Sequence, residues 1–136
     1  MLAASDVQAA RVAADGLSKI ADDFDAPLLR AVADRSQGAV LLVEGDARAA
    51  LDLLRHAWTG WQQLEVPYEA ARVRVLIGLC CRELGDEDAA EMELDAARRV
   101  FQQVGAAPDL ARVEALSRKA AAKAAGGLPE GLYISR

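Results

Sequence analysis

The sequence predicts an all-α protein, a stacked array of helical hairpins of about six helices. Three observations predict it. The first is an internal interval of forty residues: Gly45-Asp46, Ala50, Leu54, Ala57, Trp61 and Leu64 return as Gly85-Asp86, Ala90, Leu94, Ala97, Phe101 and Val104. A fainter copy lies forty residues earlier, with Asp6 under Asp46, Ala10 under Ala50, Phe24 under Leu64 and Pro27 under Pro67; Gly38 and Gly78 keep the interval. Self-similarity at this period marks stacked supersecondary units, each unable to bury its apolar face alone. The second is apolar spacing of three and four residues, with no sustained strand-type alternation. The third is composition. Apolar residues make up 53% of the chain but aromatics only 4%, and alanine is the commonest residue, so small side chains must do much of the packing and propensity favours helix.

The elements follow in order. Asp6 is placed to cap a first helix running to about Phe24, with Ala9, Ala10, Ala13, Leu17, Ile20 and Phe24 near helical spacing. Asp25-Ala26 turns the chain. Pro27, whose missing N–H has no partner in a first turn, opens a second helix to about Glu44, with Leu28, Ala31, Val32, Ala39, Leu42 and Val43 as its stripe. Gly45 ends that helix and Asp46 caps the next at once. The third helix runs to about Leu64, with Ala47, Ala50, Leu54, Ala57, Trp61 and Leu64 on one face, and Glu65-Val66-Pro67 breaks it. The fourth spans about Tyr68 to Leu84 and the fifth about Asp86 to Val104, ended by Gly105 and Pro108. The sixth starts near Pro108, carries Leu110, Val113, Leu116, Ala120 and Ala124, and stops at Gly126-Gly127. Residues 1–126 thus read as one helical-repeat domain and 127–136 as a C-terminal tail. The expected core is Ala, Leu and Val with Phe24, Trp61 and Phe101.

Such an array opens on the second helix of one pair and closes on the first helix of another. A terminal repeat needs a polar outer face or another surface to cover it. The end helices therefore either cap the array or pack on a neighbour, a second copy or the rest of a longer chain.

Net charge is −5. Domains that grip nucleic acid carry a basic surplus or face, so direct nucleic-acid binding is not expected. Cys80 and Cys81 are adjacent and have no partners elsewhere, which excludes a disulfide framework and fits a reducing cytoplasm. The start, Met1 to Asp6, has no cationic region or long apolar run, and no window reaches membrane-span length. The expected location is cytoplasmic, away from the membrane.

Few residues invite chemistry. His56, the only histidine, flanks the apolar stripe with no nucleophile or carboxylate pair placed beside it, and reads as a surface residue. Cys80 and Cys81 read as small, buried and inert; the alternatives are a redox pair, or a metal site that would lack a second pair of ligands. The acidic runs Asp22-Asp23 with Asp25, and Glu87-Asp88 with Glu91 and Glu93, read as solvated faces. Trp61 matches Phe101 and belongs to the core, whereas Trp58 matches Arg98 and is a candidate interface residue. No catalytic residue, metal ligand or cofactor is expected, and the chain does not read as an enzyme.

The set Gly38, Gly45-Asp46, Ala50, Leu54, Ala57, repeated at Gly78, Gly85-Asp86, Ala90, Leu94, Ala97, resembles the tetratricopeptide repeat. That resemblance implies a right-handed array, an α–α superhelix; the usual early aromatic is missing and the period is longer. A more specific likeness covers roughly residues 5 to 127. Gly45-Asp46-Ala47-Arg48-Ala49-Ala50-Leu51, Pro67-Tyr68-Glu69-Ala70-Ala71-Arg72-Val73-Arg74, Leu84-Gly85-Asp86-Glu87-Asp88-Ala89-Ala90 and Gly105-Ala106-Ala107-Pro108-Asp109-Leu110-Ala111-Arg112-Val113 resemble one known setting. It is the helical-repeat segment before the helix-turn-helix in actinobacterial LuxR-family regulators of the MalT-like, ATPase-containing kind. There Gly-Gly-Leu leads into the helix-turn-helix; here Gly126-Gly127-Leu128 leads into Pro129-Glu130-Gly131-Leu132-Tyr133. The resemblance implies a regulatory module that binds a protein or peptide partner and has no output domain or motor of its own; the uncapped ends separately offer a homodimer.

By analogy with tetratricopeptide arrays, the first helix of each pair lines a concave groove. The inward positions are then Val32, Arg35, Ala39 and Leu42; Arg72, Val75, Leu79 and Arg82; Arg112, Ala115 and Lys119. A groove bearing Arg35, Arg72, Arg82, Arg112 and Lys119 suits an acidic peptide or an anionic small-molecule effector, through charge-assisted, bidentate hydrogen bonds. The alternative is that each pairs with a neighbouring carboxylate such as Glu69, Glu83 or Glu114.

Overall fold

A computed structural model describes residues 4–126, with side chains as far as residue 117. The expected tail at 127–136 lies outside the described residues. Six helices follow one another: α1 Ala4–Phe24, α2 Pro27–Val43, α3 Ala47–Gln63, α4 Pro67–Glu83, α5 Glu87–Val104 and α6 Ala107–Gly126. No strand occurs among the described residues. Each helix packs on the next in sequence, and α2 also touches α4. Hairpins α2–α3 and α4–α5 therefore stack side by side, with α1 and α6 as half-hairpins at the ends. The protein is an all-α array of helical hairpins.

The turns explain the register. Gly45 and Gly85 adopt φ of +92° and +86°, a region closed to most side chains. Their N–H groups bond back to Leu42 and Arg82 carbonyls, and those of Asp46 and Asp86 to Leu41 and Cys81 carbonyls at 2.9 Å. This double bond satisfies carbonyls orphaned at the helix end. Asp46 and Asp86 then accept from the Ala49 and Ala89 N–H groups at 3.2 and 3.1 Å, capping α3 and α5. α2 and α4 start on Pro27 and Pro67 without a side-chain cap. Asp6 is not a cap: α1 is already helical at Ala4, and Asp6 lies in its first turn.

Packing repeats with the same interval. A Cβ on Gly38 would lie 2.6 Å from Leu54 Cγ, and one on Gly78 would lie 3.2 Å from the Ala90 carbonyl. Each glycine lets its helix cross its hairpin partner closely, and Ala50 and Ala90 are both fully buried at those crossings. Around them one core cluster holds Leu54, Trp61, Val73 and Ile77; a second holds Val75, Leu94, Phe101 and Val113.

Three expectations fail here. Phe24 is not core but 71% exposed. It is the last residue of its helix, and its forty-residue counterparts Leu64 and Val104 are exposed as well. The core slot lies three residues earlier, at Ala21, Trp61 and Phe101, all buried. Second, Ala9, Ala13 and Ile20 are exposed, and α1 buries Ala14 and Ala21 instead. Its counterpart α3 carries Gly60 against Ala31 of α2; Ile20 holds the matching place on α1, which no helix covers among the described residues. Third, Leu28 and Val43, assigned to the α2 stripe, and Leu64, assigned to the apolar face of α3, are exposed at the ends of their helices.

Candidate functional site

The first helices of the pairs, α2, α4 and α6, converge on a groove of about 220 Å³. α2 contributes Arg35 and Ala39, α4 contributes Arg72, Val75 and Leu76, and α6 contributes Asp109, Arg112 and Val113; Phe101 of α5 forms part of the floor. Three of the five cations expected there, Arg35, Arg72 and Arg112, are brought together.

Arg35 is half-buried, and its Nε lies away from solvent with no hydrogen-bond partner. It makes no ion pair among the described residues. Burial and then the neighbouring Arg72 guanidinium push its pKa down, opposed only in part by Glu69. Arg72 donates from Nη1 to Glu69 Oε1 at 2.9 Å, as the alternative reading expects, and its guanidinium lies 5.9 Å from the Tyr68 ring centroid. The Glu69 bond raises its pKa. Tyr68 donates its hydroxyl to Asp109 Oδ2 at 2.6 Å, tying α4 to α6, and meets Phe101 edge-on with ring centroids 5.9 Å apart. That bond to Asp109 holds the phenol above its ordinary pKa. Arg112 is exposed and makes no ion pair among the described residues.

Arg82 does not line the groove. Its Nε donates to Glu87 at 3.1 Å, its Nη2 to Glu91 at 3.5 Å, and its Nη1 to the Leu116 carbonyl at 3.5 Å. It braces α4 against α5 and α6, with partners other than the expected Glu83. The side chain of Lys119 lies outside the described residues. Leu76 lines the groove where the inward spacing names Leu79.

Trp58 is half-buried beside a second hollow with Arg55 and Arg74. The Arg74 guanidinium lies 5.0 Å from its ring centroid and donates to Glu93 at 3.2 Å. Glu93 is therefore engaged in an ion pair and half-buried, not part of a solvated face. His56 is exposed, but its Nδ1 donates to Asp34 at 2.5 Å. Asp34, only 6% exposed, is a buried carboxylate absent from the expected core. Its signal in the sequence is slight: it interrupts the Ala31–Gly38 spacing on the face of α2 that meets α3. Cys80 and Cys81 are free and buried, and burial pushes the Cys80 thiol up to about 11. No group of metal-ligating residues occurs among the described residues, and no described helix is long and apolar enough to cross a membrane.

No family model matches the chain, and no curated protein or solved structure matches it either.

Proposed function

We propose that the protein is a non-catalytic interaction module whose concave face takes an acidic segment of a protein partner, in the manner of the regulatory helical-repeat arm of a LuxR-type regulator. Arg35 is the observation that carries this reading. A half-buried guanidinium with an orphaned Nε, beside a second guanidinium, is held at an energetic cost that an anion removes. The same groove offers Val75, Leu76 and Val113 to the apolar parts of a peptide. Its modest volume favours the second reading, an anionic small-molecule effector held by the same guanidiniums.

The test is anisotropy of a labelled peptide that mixes Glu and Leu. Saturable binding is expected, weakening as salt rises. Arg35→Gln weakens it about tenfold or more, the worth of one charge-assisted bond. Arg99→Gln, on the exposed side of α5, leaves it unchanged. Equal affinity in the Arg35 variant overturns the reading.

Self-association belongs to the same proposal. Val12, Ile20 and Phe24 expose 63%, 44% and 71% of their surface along one side of α1, a side that no helix covers among the described residues. About Gly16 as a crossing point, an antiparallel second copy of α1 sets Val12 against Ile20, the self-complementarity that a two-fold dimer requires. Sedimentation that shows only monomer across the micromolar range removes this part.

A further inference from the structure

We infer that the groove between α2, α4 and α6 is a site for a monocarboxylate carried on a compact apolar body, and that its occupant clamps α6 to the rest of the array. This rests on the reading of the groove as an anion site and adds the class of anion and the consequence of binding.

Charge selects a monoanion. Arg35, Arg72 and Arg112 stand against Glu69, which holds Arg72, and Asp109, which accepts from Tyr68. Three positive and two negative groups leave one positive charge to neutralise. A phosphate dianion overshoots that balance and meets the Asp109 carboxylate. Geometry selects a carboxylate. Arg35 makes no ion pair or side-chain hydrogen bond among the described residues, and a guanidinium edge presents two parallel N–H groups that match the two oxygens of a carboxylate. Shape selects the body. Val75, Leu76, Phe101 and Val113 form an apolar floor, and about 220 Å³ is below the roughly 300–1,000 Å³ of sites for drug-sized ligands. A short branched or aromatic acid fits, and so does one acidic residue of a partner beside an apolar neighbour.

The consequence follows from where the cations sit. Arg35 is on α2, Arg72 on α4 and Arg112 on α6. Arg72 repels Arg35, and Arg112 adds a third cation to the same lining. Of the described side chains of α6, Val113 alone is fully buried, and Tyr68–Asp109 and Arg82–Leu116 are its polar ties to α4. A carboxylate between the guanidiniums offsets the Arg35–Arg72 repulsion and draws Arg112 of α6 toward α2 and α4, and α6 gains most.

The experiment is calorimetry on the full chain with phenylacetate and isovalerate, set against phenylacetamide, isovaleramide and inorganic phosphate at matched ionic strength. Hydrogen exchange over residues 107–117 is followed in parallel. The acids bind saturably, and the amides and phosphate about tenfold or more weakly. Arg35→Gln loses the acid, while Arg35→Lys, which keeps charge but not the fork, loses most of it and controls for folding. Exchange in α6 slows with acid and not with amide. Amides that bind as well, phosphate that binds more tightly, full affinity in Arg35→Lys, or unchanged exchange in α6 each overturn the inference. The labelled acidic peptide separates the two sources of the carboxylate. Displacement by phenylacetate supports the site with a partner as its source. A peptide that needs Arg35 but resists displacement overturns this inference and leaves the partner reading standing. Acids that bind where the peptide does not support the site and overturn the partner reading.

Discussion

Gly16 and Gly38 both lie inside helices, yet alanine is expected to act on them in opposite directions. A Cβ at Gly16 meets nothing within 4 Å, so Gly16→Ala stabilises by about 1 kcal/mol through helix propensity alone. At Gly38 the Cβ enters the space of fully buried Leu54, and overpacking of about 1–3 kcal/mol outweighs that gain. Urea midpoints that move the same way in both variants refute the packing account. Arg35 gives a third case. Because its Nε is orphaned, Arg35→Met is expected to stabilise the free protein by about 1 kcal/mol while abolishing anion binding. A lower melting temperature for this variant denies that Arg35 is held at a cost. The burial that lifts the Cys80 thiol to about 11 makes it inert to maleimide at pH 8 in the native state and reactive once unfolded. Residues show where the sequence was legible. Arg72 and Arg112 share a groove because they hold the same position forty residues apart, and Arg35 joins them one turn beyond Val32, the α2 counterpart of Arg72. Arg82 is at such a position too, but its carboxylates lie across a tight turn, at Glu87 and Glu91, where no helical wheel puts them. Asp34 escapes notice because its exposed partner, His56, lies on a different helix.

At the scale of elements, the turns that follow α2, α3, α4 and α5 use one device. Glu65 has φ of +59° and donates to the Gln62 carbonyl, and Val66 donates to the Trp61 carbonyl, the same pair of bonds made at Gly45 and Gly85. Its forty-residue counterparts are Asp25, at +48°, and Gly105, at +74°. A glutamate there bears a left-handed strain of about 1–2 kcal/mol that glycine escapes, less glycine's extra chain entropy. Glu65→Gly is therefore expected to stabilise by up to about 1 kcal/mol, read from its urea midpoint, and a destabilised variant contradicts the strain argument. Helix ends from α2 onward agree with the sequence to within a residue or two because Gly-Asp and Pro punctuate them. The face of α1 was not legible. Ala9, Ala10, Ala13 and Ala14 offer almost equal hydrophobicity all round, so periodicity cannot choose a side; contact with α2 does, and selects Ala14 and Ala21.

For the whole molecule, a stacked array has stability that is roughly a sum of unit terms and nearest-neighbour terms, so its ends open before its middle. Burial follows that order. α3 buries Leu51, Leu54 and Trp61, and α4 buries Val73, Val75 and Ile77, each between two neighbours. α1 rests on α2 alone and buries only two alanines. With about 1.5–3 kcal/mol for each large side chain taken from water, the middle helices hold most of the stability. Native-state hydrogen exchange is expected to place α3, α4 and α5 at the global unfolding free energy and α1 in a lower, sub-global opening. Ile20 and Phe24, both exposed on α1, contribute less than a buried side chain of their size would. A second copy covering that face should raise α1 toward the global value as concentration increases. Protection of α1 equal to that of α4 in dilute, monomeric protein would mean that the array unfolds as one block, and that its terminal half-hairpin is not the weak end its burial implies.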